Sequence, residues 1–219
     1  MNTDELEALA NQLACPSGEQ GIALATKMNE MNAFITAHSI EALNPTEAEN
    51  IVEIGFGNGE LSKPIIKSIG RDGHFIGIET SNVLAEEASA YFKLNNVNNV
   101  TIYNNDCNEI TLKKNSQHGV LAVNVIYFID NLESFLKNIY SWLKPGGRFV
   151  IGVRSEKSLK KMPFTHINFI IRTQEEIIKE IKKAGYINIE TQYHDEGVNQ
   201  FGDVEIPIDT LIIKSHRPL

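Results

Sequence analysis

The stretch Asn50-Ile-Val-Glu-Ile-Gly-Phe-Gly-Asn-Gly-Glu-Leu-Ser62 constrains this chain more than any other. Ile51, Val52 and Ile54 form an apolar run that reads as a short strand buried on both faces of a parallel sheet. The run stops at Gly55, and glycines recur at Gly57 and Gly59. A helix is predicted from near Glu60, because Leu61, Ile65, Ile66 and Ile69 fall at helical spacing. Such a strand-to-helix turn is the first ligand site of a doubly wound α/β sheet. Without β-carbons, the main chain there can be approached closely.

The rest of the chain repeats the alternation of strand and helix. A second strand over residues 74–79 ends on Glu79, and a helix is predicted over 81–95. A third strand over 100–103 leads into Asn104-Asn-Asp-Cys107. The fourth strand, 119–125, is the most hydrophobic and therefore expected at the centre of the sheet. A helix over 131–143 and the turn Pro145-Gly-Gly147 precede a fifth strand over 148–153. After a helix over 173–184, two strands (186–193 and 206–214) follow with a loop and no helix between them, which predicts an antiparallel hairpin. The expectation is an α/β fold: a doubly wound, mostly parallel seven-stranded sheet with an antiparallel C-terminal hairpin. Upstream, helices over 4–13 and 19–43 flank Cys15-Pro-Ser-Gly18. Leu24, Met28, Met31, Ile35 and Ala42 mark an apolar stripe on the second. Residues 1–44 are therefore expected to be a helical arm serving as a lid across the carboxyl edge, and 45–219 a Rossmann-like domain.

Charge narrows the partners. The 219 residues carry a net charge of −8, with ten carboxylates against Lys27 alone in residues 1–60. Residues 144–183 reverse the balance, with ten Lys and Arg against four Glu. An acidic molecule is a poor polyanion binder, so no nucleic-acid partner is expected. No apolar run is long enough to span a membrane, and the acidic start lacks the features of a secretory signal. Cys15 and Cys107 make no metal or redox spacing and read as reduced thiols of a cytoplasmic protein. The six histidines show no ligand spacing, so no metal site is expected. Oligomeric state is not legible.

Taken together, these motifs resemble the class I S-adenosylmethionine-dependent methyltransferases over most of residues 45–214. Val52-Glu-Ile-Gly-Phe-Gly-Asn-Gly59 resembles the first motif of that family. Glu79 matches its ribose-binding acid, and Asn104-Asn-Asp106 the loop whose acid meets the adenine amine. Asn124 falls in the fourth-strand motif, and Leu143-Lys-Pro-Gly-Gly147 is a common family feature. Met28-Asn-Glu-Met-Asn32 is similar to the arm of a bacterial subset acting on small molecules. The resemblance implies S-adenosylmethionine as cofactor, S-adenosylhomocysteine as product and a small-molecule acceptor. It assigns cofactor contacts to Glu53, Gly55, Gly57, Gly59, Glu79, Thr80, Asp106, Cys107 and Asn124, with Glu53 near the amino group.

Two other readings stay open, a catalytically silent relative and a nicotinamide dinucleotide oxidoreductase. Against the latter, Gly-x-Gly-x-Gly replaces Gly-x-Gly-x-x-Gly, and Glu60 would face a pyrophosphate. Asn124-Val-Ile-Tyr127 lacks the prolines of the Asn-Pro-Pro-Tyr motif in enzymes that methylate adenine or glutamine amides, which disfavours that acceptor class. No catalytic base is assigned; Tyr127, His166 and His38 are the candidates. Arg154 is a candidate grip for an anionic acceptor, or an ion-pair partner of the acidic arm. The basic stretch Lys157-Ser-Leu-Lys-Lys161 points the same way, to a small amphipathic or anionic acceptor.

Overall fold

The computed structural model describes residues 2–201 and 204–219. Seven strands form one sheet: β1 (Asn50–Ile54), β2 (His74–Glu79), β3 (Val100–Asn104), β4 (Gln117–Val123), β5 (Leu143–Val153), β6 (Ile187–Phe201) and β7 (Val204–His216). Their order is β3-β2-β1-β4-β5-β7-β6. The first five pair in parallel, and β7 pairs antiparallel with both β5 and β6. The most hydrophobic strand, β4, is the central one, and the order reverses between β1 and β4. Ligands of open α/β sheets bind outside the strand ends at such a switch point.

Alternate residues of each strand feed two cores. Val52, Ile54, Val120, Phe149 and Ile151 pack with α5 (Leu132–Trp142) and α8 (Gln174–Lys183). Ile51, Phe75, Leu121, Val150 and Ile212 pack on the other face with α3 (Lys63–Ile69) and α4 (Asn82–Leu94). This second face is also covered by the end of α2 (Gly18–Leu43), whose Ile35 and Leu43 are wholly buried. A β-carbon on Gly152 of β5 would collide with Ser39, so α2 lies directly on the sheet. The shorter α1 (Thr3–Ala14) buries only Ala10 and is held at its start by an Asn2–Glu5 capping box.

The elements differ from expectation in several places, among them β5, which begins at Leu143 rather than at Arg148. The helix after the glycine turn starts at Lys63, because Gly59 is left-handed and the chain makes one more turn through Ser62. The fourth strand stops at Val123: Asn124 N–H still donates to the Gly152 carbonyl of β5 at 2.8 Å, but its φ of +56° turns the chain out of the strand. The hairpin strands run further, to Phe201 and from Val204, past a register shift between Asp195 and Val198 where Gly197 has φ +86°. Of the loop expected there, residues 202 and 203 lie outside the described residues. Two short helices not foreseen, α6 (Glu156–Leu159) and α7 (Thr165–Asn168), follow β5. No helix among the described residues is long and apolar enough to cross a membrane.

Candidate active site

The carboxyl ends of β1, β2 and β4 open into a cavity of about 180 Å³. Gly55, Gly57, Glu79, Thr80, Asp106, Cys107 and Asn124 all line it, so seven of the nine expected contacts converge. The turn after β1 supports it through main-chain bonds. Gly55 N–H donates to the Ile78 carbonyl at 2.7 Å, and Gly57 N–H donates to Glu79 Oε2 at 2.9 Å. Gly57 has φ +63°, and a β-carbon there would meet no protein atom within 4 Å. Its Cα therefore borders open space that a ligand can fill. Gly59 does not line the cavity; a β-carbon there would strike the Phe92 ring at 2.9 Å, so it serves the packing of the turn on α4.

This contrast gives a prediction. Gly57→Ala is expected to cost about 1–2 kcal/mol of stability, the ordinary penalty of a left-handed alanine. It should reduce ligand affinity far more, because its methyl occupies ligand space. Melting and binding titrations on the same sample check both.

Glu79 is buried and accepts from Ser81 N–H at 2.8 Å as well as from Gly57. Burial raises its pKa, and the amides of Ser81 and Gly57 oppose that rise. A carboxylate offers about four acceptor positions; the two amides take one each and the Thr80 hydroxyl makes only a long contact at 3.5 Å, so hydroxyl donors of a ligand can still be accepted. Asn104 donates to the carbonyls of Glu79 and Thr80 at 2.9 and 3.2 Å and so ties β3 to the β2 tip. Asp106 Oδ1 accepts from the Asn108 backbone and side chain at 2.8 and 2.9 Å, which orients its carboxyl on the exposed loop. Cys107 is buried, and its thiol is pushed up to about 12, chiefly by burial with the Asp106 charge adding to it. It is not a nucleophile at neutral pH.

Glu53 lies just outside this cavity, in a small adjoining recess that it shares with Gly55, Gly57, Asn29, Asn32 and Thr36. Ser62 Oγ donates to it at 2.6 Å. Burial, with the nearby Glu79 charge, lifts its pKa to about 7 despite the Ser62 bond. Folding thus favours the protonated acid. Its contribution to stability is fully present below the unfolded value of 4.5 and is lost as pH rises through about 7. Wild type should lose stability relative to Glu53→Gln between about pH 5 and about pH 8, as urea midpoints would record.

Asn124 stands where the first cavity meets a second, of about 130 Å³. Its left-handed backbone is uncommon outside glycine, and such strain clusters at functional sites. Its amide donates to Asn32 Oδ1 at 3.0 Å and its oxygen accepts from the Tyr127 hydroxyl at 2.7 Å. That hydroxyl also accepts from Arg154 N–H at 2.6 Å, and burial raises its pKa. Tyr127 is thus a fixed strut beside the second cavity rather than a base. Arg154 is buried; its guanidinium bonds Glu196, the Asp209 carbonyl (2.7 Å), Thr210 (3.1 Å) and the Met31 carbonyl (3.0 Å). It pairs with the hairpin rather than with a carboxylate of the arm. The other two base candidates are elsewhere: His38 stacks on His194 at 4.4 Å, and exposed His166 lines neither cavity.

The arm supplies contacts that sequence reasoning missed. Leu13, Ala14, Pro16, Met28 and Asn32 roof the first cavity. Ser81 Oγ donates to the Pro16 carbonyl at 2.5 Å, and Asn29 donates to Asn58 of the glycine turn at 3.2 Å. The polar interruptions Asn29 and Asn32 in the apolar stripe were the available signal.

Residues 51–147 match the family described as a methyltransferase domain. An uncharacterized methyltransferase of Bacillus subtilis is 25% identical over 162 residues, 74% of this chain and 84% of that protein. Among solved structures, an S-adenosylmethionine-dependent methyltransferase of Aquifex aeolicus superposes with a TM-score of 0.67 at 14% identity, covering 89% of this chain and 97% of that one. A phosphoethanolamine N-methyltransferase of Haemonchus contortus, bound to phosphomonomethylethanolamine and S-adenosylhomocysteine, gives 0.70 at 16% identity over 84% of this chain. The chain spans about half (52%) of that last protein. At these identities the structural likenesses establish the fold.

Proposed function

We propose that this class I S-adenosylmethionine-dependent methyltransferase, its domain matched over residues 51–147, passes the methyl group to a small organic acceptor seated in the second cavity. The observation that carries the reading is the pairing of Glu79, which can accept further donors, with Gly57 directly beside it, whose Cα faces empty space in the same cavity. When bound, the cofactor supplies a methyl on a cationic sulphur, displaced in line with a neutral leaving group.

Glu79 would take both ribose hydroxyls, and Asp106 the adenine amine, with Cys107 and Thr80 beside them. The main chain at Gly55 and Gly57 would pack against the ligand between the ribose and the amino-acid end. Glu53 would stand near the amino group from its recess. Leu13, Met28, Asn32, Asn124 and Phe128 line both cavities, so the methyl would cross at this shared wall. What these residues contribute is alignment and exclusion of water. Good alignment alone can supply about 7–11 kcal/mol of barrier reduction. With Tyr127 engaged and His38 and His166 remote, no side-chain base is invoked, which suits an amine, thiol or acidic hydroxyl acceptor. Residues 1–44 act in this reading as the arm of a 45–219 domain, with α1 and the first half of α2 as its lid. The free thiols Cys15 and Cys107 fit a reducing cytoplasm.

The test is to incubate the enzyme and methyl-labelled cofactor with a fractionated cell extract. Label should appear in the low-mass fraction. Label confined to RNA or protein would overturn the small-acceptor reading.

A further inference from the structure

We infer that the second cavity binds an uncharged, single-ring aromatic molecule bearing an O–H or N–H donor. The inference rests on the methyl-transfer reading only in calling that molecule the acceptor. Three observations carry it. The walls are apolar and aromatic: Phe169 stacks on Tyr127 at 5.5 Å and meets Phe128 edge-on at 4.7 Å, and Met31, Met162 and Ile208 complete them. Flat rings prefer such stacked and edge-on surroundings, and methionine sulphur adapts to them. The volume, about 130 Å³, is close to that of apolar cavities of about 150 Å³ that take up a benzene-sized ring.

Charge decides the rest. Among the described residues, Arg154 is the only Lys or Arg lining either cavity. Its guanidinium is already spent on Glu196, Thr210 and two carbonyls. A phosphate or carboxylate would enter an apolar site with no cation to meet it, and desolvation would oppose it. The basic stretch does not help: Lys157, Lys160 and Lys161 line neither cavity, and Lys160 pairs with Glu156. Glu196 Oε1 serves both Arg154 and Thr210, which leaves Oε2 and the side-chain amide of Asn199 without a protein partner among the described residues. A neutral donor on the ring satisfies Oε2, whereas an anion would be repelled by it. Of the amphipathic or anionic acceptor expected from sequence, this reading keeps the uncharged amphipathic one.

Two probes of equal ring size test this, 4-methylphenol and 4-methylbenzoate, titrated by calorimetry with and without S-adenosylhomocysteine. The phenol should bind at least tenfold tighter than the benzoate. Phe169→Ala should abolish phenol binding while leaving S-adenosylhomocysteine affinity intact. Met31→Lys, at the exposed rim, should raise benzoate affinity at least tenfold without a buried substitution. Benzoate binding as tight as phenol, no binding of either probe, or phenol binding unaffected by Phe169→Ala would overturn the inference. If S-adenosylhomocysteine fails to bind while the phenol selectivity holds, the methyl-donor reading falls and this one stands.

Discussion

Glu79→Ala is expected to weaken S-adenosylmethionine binding by two orders of magnitude or more. The carboxylate would accept two ribose hydroxyls, and hydrogen bonds to a charged group are worth about 1.5–3 kcal/mol each. A factor of one hundred corresponds to roughly 2.8 kcal/mol, at the low end of that sum. The alanine would also orphan the Gly57 and Ser81 amides, which now donate at 2.9 and 2.8 Å. Part of the loss would therefore come from a loosened glycine turn. Glu79→Gln separates the contributions only in part: Gly57 and Ser81 bond different oxygens, so the glutamine keeps one amide bond, turns its NH2 against the other amide and removes the charge. It should melt between wild type and the alanine variant and lose about one order of magnitude in affinity. Equal affinity of wild type and alanine variant would remove Glu79 from the site.

Deleting residues 1–43 is expected to unfold the protein, although a lid reading of the arm suggests that the sheet would survive. Ile35 and Leu43 are wholly buried, and α2 covers Ile51, Leu121, Val150 and Ile212. Exposing a large aliphatic side chain costs about 1.5–3 kcal/mol. A few of them consume the roughly 5–15 kcal/mol that holds a domain folded. Deleting only residues 1–16 is different. It removes α1, with one buried residue, and the Pro16 carbonyl that Ser81 holds. That variant should remain cooperative, melt within about 5 °C of wild type, and bind cofactor more weakly through loss of the roof. Circular dichroism melts of the two truncations check this.

The sheet was legible because its signals are local. Apolar runs such as 119–123, glycine turns and helical stripes each report their own structure, and strand β4 fell at the centre as its hydrophobicity required. The acids at strand ends were readable for the same reason: Glu79 and Asp106 occupy positions that topology alone brings to one edge. What was not legible depends on contacts distant in sequence. Nothing near Asn32 announces Asn124, 92 positions away, as its partner. Arg154 reads from sequence as a grip for an anion or a partner of the acidic arm, and neither reading points to Glu196, Thr210 and the Met31 carbonyl, which surround it. The left-handed turn at Asn124 was hidden too, since asparagine permits that backbone without requiring it. Gly59 fitted the ligand motif by spacing, yet its neighbour is Phe92. The arm misled in one respect: a single continuous helix has one end in the core and the other over the site, and periodicity does not mark where that change occurs.

The most direct measurement is a calorimetric titration of the purified protein with S-adenosylhomocysteine. One molecule bound per chain, with affinity lost in Glu79→Ala and Gly57→Ala but kept in Phe169→Ala, is the predicted result. No heat at millimolar ligand, or binding indifferent to all three substitutions, would contradict the placement of the cofactor at the ends of β1, β2 and β4.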